Sequence, residues 1–282
     1  MNSMRPKSRF LGIVLVMLSQ CLNGVSAQET VVTKFKLNSP TITLHEPVVM
    51  NFTILNVLRN SIQFDLGNNR KGNFQFAVTT PQGEKIPLPR IIEDGLTRVG
   101  KVSLDAGQTY TQMLLLNEWY PFSMQGKYEI EVRLVSETKT SSGTEIKSSP
   151  QQTLDLKVLP RNQDKLQATC ESLAKAAIEN PVFVQANDAA LALSFVNDPI
   201  AIPYLKMVLF EGKMVRNLAA IGLGRLATPS AVDILISALN EKDQELQDIT
   251  RSILSNLQLS IQDQNLQHKI KSALKQQNYQ PH

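Results

Sequence analysis

From about residue 30 to residue 159, apolar and polar positions alternate with a period of two. Met50, Phe52 and Ile54 fall on one side, Asn51 and Thr53 on the other. Ile62, Phe64 and Leu66 repeat the pattern, as do Phe74, Phe76 and Val78. So do Tyr128, Ile130, Val132 and Leu134, and lastly Leu154, Leu156 and Val158. Successive side chains of a strand point to opposite faces, so each run lays one apolar row against a core. Turn formers separate the runs: Gly67-Asn68-Asn69, Pro81-Gln82-Gly83, Ala106-Gly107-Gln108, Gln125-Gly126 and Ser141-Ser142-Gly143. Such residues tolerate positive φ or bond their own backbone, which is what a tight reversal needs. About seven to nine short strands at this spacing predict an antiparallel β-sandwich over residues 28–160.

After Pro160 the period changes. Leu166, Cys170, Leu173 and Ala177 stand at i, i+4, i+7 and i+11, one stripe of a helix. The boundary falls in Leu159-Pro160-Arg161-Asn162, where proline ends the last strand and Asn162 or Asp164 can cap the first helix. Residues 161–282 then form an all-α domain containing a repeat. Residues 189–209 and 219–239 coincide at a shift of 30, with seven of 21 positions identical. The identities are Ala189/Ala219, Ala190/Ala220, Leu193/Leu223, Pro199/Pro229, Ala201/Ala231, Leu205/Leu235 and Leu209/Leu239. Asp198 and Thr228 are N-cap types, and the prolines after them take the first helical position, where a missing N–H costs nothing. Ala192 and Ser194, matched by Gly222 and Gly224, are small enough to let helices approach closely. A diverged third unit pairs Leu218/Ile249, Leu223/Leu254 and Leu226/Leu257. A polar last helix with Leu266, Ile270, Ala273 and Leu274 suits a cap whose outer face meets water. A fixed period of this length is the signature of stacked helix pairs.

The helical half resembles the HEAT-repeat family, in its short-period form common in bacterial proteins. Ala189-Ala190-Leu191-Ala192-Leu193, Asp198-Pro199, Ile202-Pro203-Tyr204-Leu205 and their partners from Ala219 to Leu239 carry the resemblance, over roughly residues 180–258. It implies a binding scaffold. Some relatives occur in bilin lyases, but Cys170 alone offers no thiol–bilin site, so that activity is not carried over. In the strand half, Gly126-Lys127-Tyr128 and Glu46-Pro47-Val48 resemble openings of strands in extracellular immunoglobulin-like and macroglobulin-like modules. The expected fold is therefore an N-terminal immunoglobulin-like β-sandwich followed by a C-terminal HEAT-like helical stack. An antibody-type domain is excluded, because the Cys…Trp…Cys framework is missing.

The N-terminus carries Arg5, Lys7 and Arg9 and no acid, then an uncharged run from Phe10 to Leu18, then Val25-Ser26-Ala27. That order reads as a secretory leader over residues 1–27, cleaved between Ala27 and Gln28. Leu18-Ser19-Gln20-Cys21 approaches a lipoprotein box, but Gln20 stands where a small residue is normal. Cleavage after Ala27 would remove Cys21 and leave one thiol, Cys170, a buried small hydrophobe or, with a partner base, a nucleophile. The leader also explains the charge. The whole chain has 29 basic and 25 acidic residues and a net +4; without three leader cations and no leader acid it is +1. The nucleic-acid reading that a basic chain invites goes with it. The expected product is exported, periplasmic or extracellular, with no transmembrane segment after the leader.

Candidate chemistry is sparse. Three His and two Cys are too few for a zinc cluster or haem motif, and acids do not cluster at calcium-loop spacing, so no cofactor or metal is expected. No nucleophile-elbow, phosphate-loop or zinc-protease motif occurs, and His45 sits in a turn before a strand. Gly222-Leu223-Gly224 lacks a third glycine and a preceding strand, and repeat packing accounts for it. Trp119, Tyr120 and Phe122 form either an exposed aromatic platform or a plug at one end of the sandwich. Arg70 and Lys71 lie in a polar loop, either a solvated hairpin tip or a contact surface. Arg216 and Arg225 either grip an acidic partner or belong to a solvated face or an inter-repeat salt bridge. The expected function is an exported, non-enzymatic scaffold that binds another protein or an extracytoplasmic polymer through both halves. The alternatives are a carbohydrate-binding module using Trp119 and Tyr120, and a hydrolase with a carboxylate site between the halves. Carboxylate pairs such as Glu93/Asp94 or Glu129/Glu131 could do acid/base work in principle, but the second pair points outward from an alternating strand, which makes it a solvated face by default.

Overall fold

The computed structural model describes residues 31–90, 100–136, 138–140, 143, 145–146 and 151–277. The expected leader with Cys21, Ala27 and Gln28 lies outside the described residues, as do Glu93 and Asp94. A β-rich half comes first and a helical half follows.

The β half holds twelve strands among the described residues: β1 (Val32–Leu37), β2 (Thr41–Thr43), β3 (Val49–Leu55), β4 (Ile62–Asp65), β5 (Phe74–Thr79), β6 (Lys85–Pro87), β7 (Lys101–Leu104), β8 (Thr109–Leu115), β9 (Gly126–Leu134), β10 (Thr138–Thr140), β11 (Glu145–Ile146) and β12 (Gln152–Leu159). This exceeds the expected number. Five of the twelve have only two or three residues or, like β7, four with a single buried side chain, too short to show alternation. The sheet orders are β1-β3-β8, β11-β10-β4-β7 and β2-β12-β9-β5-β6. The described ladders are antiparallel except β2 with β12, which run parallel.

The alternating rows meet in one core. Met50, Phe52 and Ile54 of β3 are fully buried. Phe35 pairs in register with Phe52, and their rings lie 6.1 and 5.1 Å from that of Phe74 on the third sheet. Each such side chain gains about 1.5–3 kcal/mol on burial. At the start of β9, Gly126 has φ 132°, and a Cβ there would stand 2.6 Å from Pro81 Cβ, so only glycine fits. Two residues on, the buried Tyr128 hydroxyl donates to the Met124 carbonyl at 3.0 Å and accepts from the Met124 N–H at 3.1 Å.

Seven helices follow: α1 (Gln163–Glu179), α2 (Phe183–Ser194), α3 (Ile202–Glu211), α4 (Arg216–Leu226), α5 (Pro229–Ala238), α6 (Gln244–Ser260) and α7 (Gln264–Gln277). They stack in two layers, α1-α3-α5-α7 and α2-α4-α6. Every repeat identity except the prolines is buried. Asp198 accepts from Ile200 N–H at 3.0 Å before Pro199–Ala201, and Thr228 accepts from Ala231 N–H at 3.3 Å before α5. A Cβ on Gly222 would lie 2.9 Å from Ser194 Cα and 2.8 Å from Leu205 Cδ2, so the close packing of α4 on α2 and α3 needs glycine.

The seam between the halves is built on Glu46, which is 7% exposed. Its carboxylate accepts from Thr43 N–H at 2.5 Å and from the Thr169 hydroxyl of α1 at 2.9 Å, and pairs with Lys165 Nζ of α1 at 2.8 Å. Thr43 also joins the two sides: its hydroxyl donates to the Pro160 carbonyl and accepts from Asn162 N–H. Strand β12 ends at Leu159, and Asn162 caps α1 by accepting from Lys165 N–H at 2.9 Å.

Candidate functional site

Four segments converge on a cleft of about 260 Å³ between the halves. The turn after β2 supplies His45. Glu46 N–H donates to the Thr43 carbonyl at 3.1 Å, closing the turn with His45 in its third position at φ 76°. A turn of this kind wants glycine there. The chain after β8 supplies Asn117, Pro121, Phe122 and Ser123. Asn117 Oδ1 accepts from Val48 N–H at 2.6 Å, which leaves its amide NH₂ to donate elsewhere. The end of α2 supplies Ser194, Phe195, Val196 and Asn197, and the end of α4 supplies Arg225 and Leu226. Ala227 then closes α4 at φ 48°, donating to the Leu223 carbonyl at 3.1 Å.

Of the described non-glycine residues with positive φ, His45 and Phe122 line this cleft and Ala227 borders it. Each costs about 1–3 kcal/mol where the surroundings impose it. The guanidinium of Arg225 lies over the Phe195 ring, 3.7 Å from its centroid, in cation–π contact. Desolvation of that face pulls its pKa down, and the charge of Glu118 opposes the shift. Glu118 is held by Lys71 at 2.7 Å.

The residues singled out in the sequence fare differently. Trp119 is only 9% exposed and packs on Phe76, 4.8 Å between ring centroids. Phe122 is 3% exposed and meets Tyr120 and Tyr128 edge-on at 5.1 and 5.3 Å. The structure favours the plug over the platform: Trp119 and Phe122 pack in the core, and Tyr120 is half-buried against Phe122 and Tyr128. The Trp119 Nε1 is buried without an acceptor among the described residues. Nor is the loop with Arg70 and Lys71 a free contact surface. Lys71 is locked on Glu118, the Arg70 carbonyl accepts from Gln112 Nε2 at 2.9 Å, and Arg70 Nε is buried. Arg216 is 3% exposed and bonds Asp243 at 2.5 Å, an ion pair between successive repeats rather than a grip on a partner. Arg225 alone among these charged candidates keeps an exposed side chain lining a cavity.

Cys170 is fully buried, and desolvation, with the charges of Asp198 and Glu46, pushes its thiol up to about 12. It is a packing residue and not a thiolate nucleophile at neutral pH. Glu131 is engaged by Lys85 and by Gln151, and Glu129 faces solvent. Among the described residues, no group of three His, Cys, Asp or Glu side chains could hold a metal ion, and no helix is long and apolar enough to cross a membrane. The sequence missed Asn117, Ser123, Phe195 and Asn197 as cleft residues. Only a non-glycine at the third position of the turn before β3 could have hinted at His45.

Residues 38–159 match the family model for the flagellar collar protein C N-terminal domain. Residues 215–241, across α4 and α5, match the PBS lyase HEAT-like repeat. No curated protein matches the chain. Among solved structures, the putative ApaA protein of Bordetella pertussis is 11% identical over 45% of this chain and 92% of its own, with a TM-score of 0.26. A β-glucosidase of Listeria innocua is 16% identical over 45% of this chain and only 16% of its own length, with a TM-score of 0.25. Likenesses this loose bear on neither fold nor function.

Proposed function

We propose that the chain is an exported, non-enzymatic scaffold whose two halves hold other proteins in an extracytoplasmic assembly of the flagellar-collar kind. The observation that carries this reading is the collar-domain match, which runs from Asn38 to Leu159 and so spans β2 to β12. The HEAT-like repeat beside it favours protein contacts, since stacked helix pairs present extended binding surfaces. An immunoglobulin-like sandwich is the finer description of the β half. The Tyr128 hydroxyl, bonded to backbone four residues upstream, supports it as a tyrosine corner. The glycan-binding alternative on Trp119 and Tyr120 is less favoured, because Trp119 is buried in the core and only Tyr120 is half-buried. A hydrolase between the halves would need a carboxylate that the cleft's lining does not supply.

Fractionation of cells carrying a tagged chain, with electron cryotomography of flagellar motors in a deletion strain, tests the reading. The expected result is an extracytoplasmic chain and a collar that loses density on deletion. Cytoplasmic retention, or an unchanged collar, would overturn it.

A further inference from the structure

We propose that the cleft between the halves receives a carboxylate, presented by an acidic residue on an extended segment of a protein partner. The Arg225 guanidinium is fixed by stacking on Phe195, and no described residue accepts a hydrogen bond from it. The neighbouring acids carry other hydrogen bonds: Glu118, whose charge also acts on Arg225, is held by Lys71, and Asp198 is held by Arg161 at 2.6 and 3.1 Å. A planar fork of donors kept in place without an acceptor suits a carboxylate, which it can meet with two parallel bonds.

The rest of the lining agrees. It includes the Arg225 guanidinium and neither Asp nor Glu, so its charge favours an anion. The free amide of Asn117 and the hydroxyl of Ser123 add neutral donors for the peptide flanking the acid. At about 260 Å³ the cleft is smaller than the roughly 300–1,000 Å³ of pockets that hold drug-sized ligands. It has room for one side chain and adjoining backbone. The left-handed backbone at His45 agrees: glycine would relieve strain there, yet a side chain stands where it faces this space.

The inference rests on the reading of the chain as a protein-binding scaffold. It is tested by titrating the full, ¹⁵N-labelled chain with a blocked Gly-Glu-Gly peptide, its Gly-Gln-Gly counterpart and free glutarate, followed by NMR. The Glu peptide is expected to shift the Arg225 Nε–H and the amides of His45, Ser123 and Asn197, and to bind about tenfold more tightly than the Gln peptide. Arg225→Gln should remove that preference, whereas Arg59→Gln, an exposed charge in the β half, should leave it intact. Equal binding of the two peptides, an absence of shifts, or a preference surviving in R225Q overturns the proposal. Glutarate binding more tightly than the peptide overturns the protein segment as the source. A silent titration leaves the collar test standing, and an unchanged collar leaves the titration informative, so the two failures are distinguishable.

Discussion

The β half is held together by residues far apart in the chain, the helical half by neighbours one repeat away. Phe35, Phe52 and Phe74 meet from two sheets, and β2 pairs with β12 across more than a hundred residues. In the helical half, α1 packs on α2 and α3, and α4 on α3, α5 and α6. The difference has a physical consequence. A lesion in the first half loosens several sheets at once, whereas a lesion in a stack is shared mainly with adjacent repeats. The single tryptophan, Trp119, lies in the β half, so its fluorescence reports that half while the helical circular dichroism at 222 nm reports the other.

The largest effect is expected from Phe52→Ala. Removing a fully buried ring that touches Phe35 and Phe74 should cost about 3–5 kcal/mol. In urea, the Trp119 transition should move to much lower denaturant while the 222 nm transition moves less. If both signals shift together, the halves unfold as one unit and the contrast between them fails.

Glu46→Ala attacks that coupling directly. It deletes the acceptor shared by Thr43, Thr169 and Lys165 and leaves buried donors unpaired, at about 3 kcal/mol. Calorimetry should then show the transitions of the two halves further apart than in the wild-type chain. An unchanged separation would mean that the hydroxyl bonds of Thr43 and the Leu44–Leu159 backbone bond carry the seam without the carboxylate.

Gly222→Ala is the counterpart in the helical half. The added methyl must displace Ser194 or Leu205, at about 1–3 kcal/mol, and should lower the 222 nm transition while leaving Trp119 fluorescence nearly unmoved. This position also shows why the helical half was readable. Repeat identities such as Leu193/Leu223 and Ala201/Ala231 are the buried positions, so a period in the sequence is a map of the core. Strands were readable one at a time, for the alternation of Met50, Phe52 and Ile54 states which face is buried. Their partners were not, because period two says nothing of which distant strand supplies the ladder. Short pieces such as β2 and β6 acquire strand geometry only from that partner. The cleft was the least legible part. Arg225 stood out as a charge in a repeat, but its stacking on Phe195 joins two helices, and His45 reaches the site from a turn more than 150 residues earlier. Arg216 looked equivalent to Arg225 in sequence, and only the position of Asp243 separates a structural ion pair from an open guanidinium.

The smallest effect concerns pH, and it compares an acid at the seam with acids inside the stack. Asp188 on α2 is partly buried, and desolvation lifts its carboxyl to about 6, while the charge of Lys71, across the seam and itself bonded to Glu118, pulls it back. Between roughly pH 4 and 6 the folded chain therefore holds a proton that the unfolded chain has released. The stability this contributes is complete below about pH 4 and declines as the pH rises, levelling off above the folded value. Asp198 and Asp243 behave oppositely. Hydrogen bonds from Arg161 and Arg216 hold their carboxyls below the ordinary range, so their contributions persist at neutral pH and are lost as the pH falls below about 4. Asp188→Asn removes only the first term, since the amide cannot ionise. It should raise stability by about 1–2 kcal/mol at pH 7.5 and by almost nothing at pH 4. The difference between wild-type and D188N melting curves, taken across this range, isolates Asp188 from the two paired acids. A gain that is the same at both pH values would show that the asparagine improves packing, and that Asp188 is ionised at the seam without penalty.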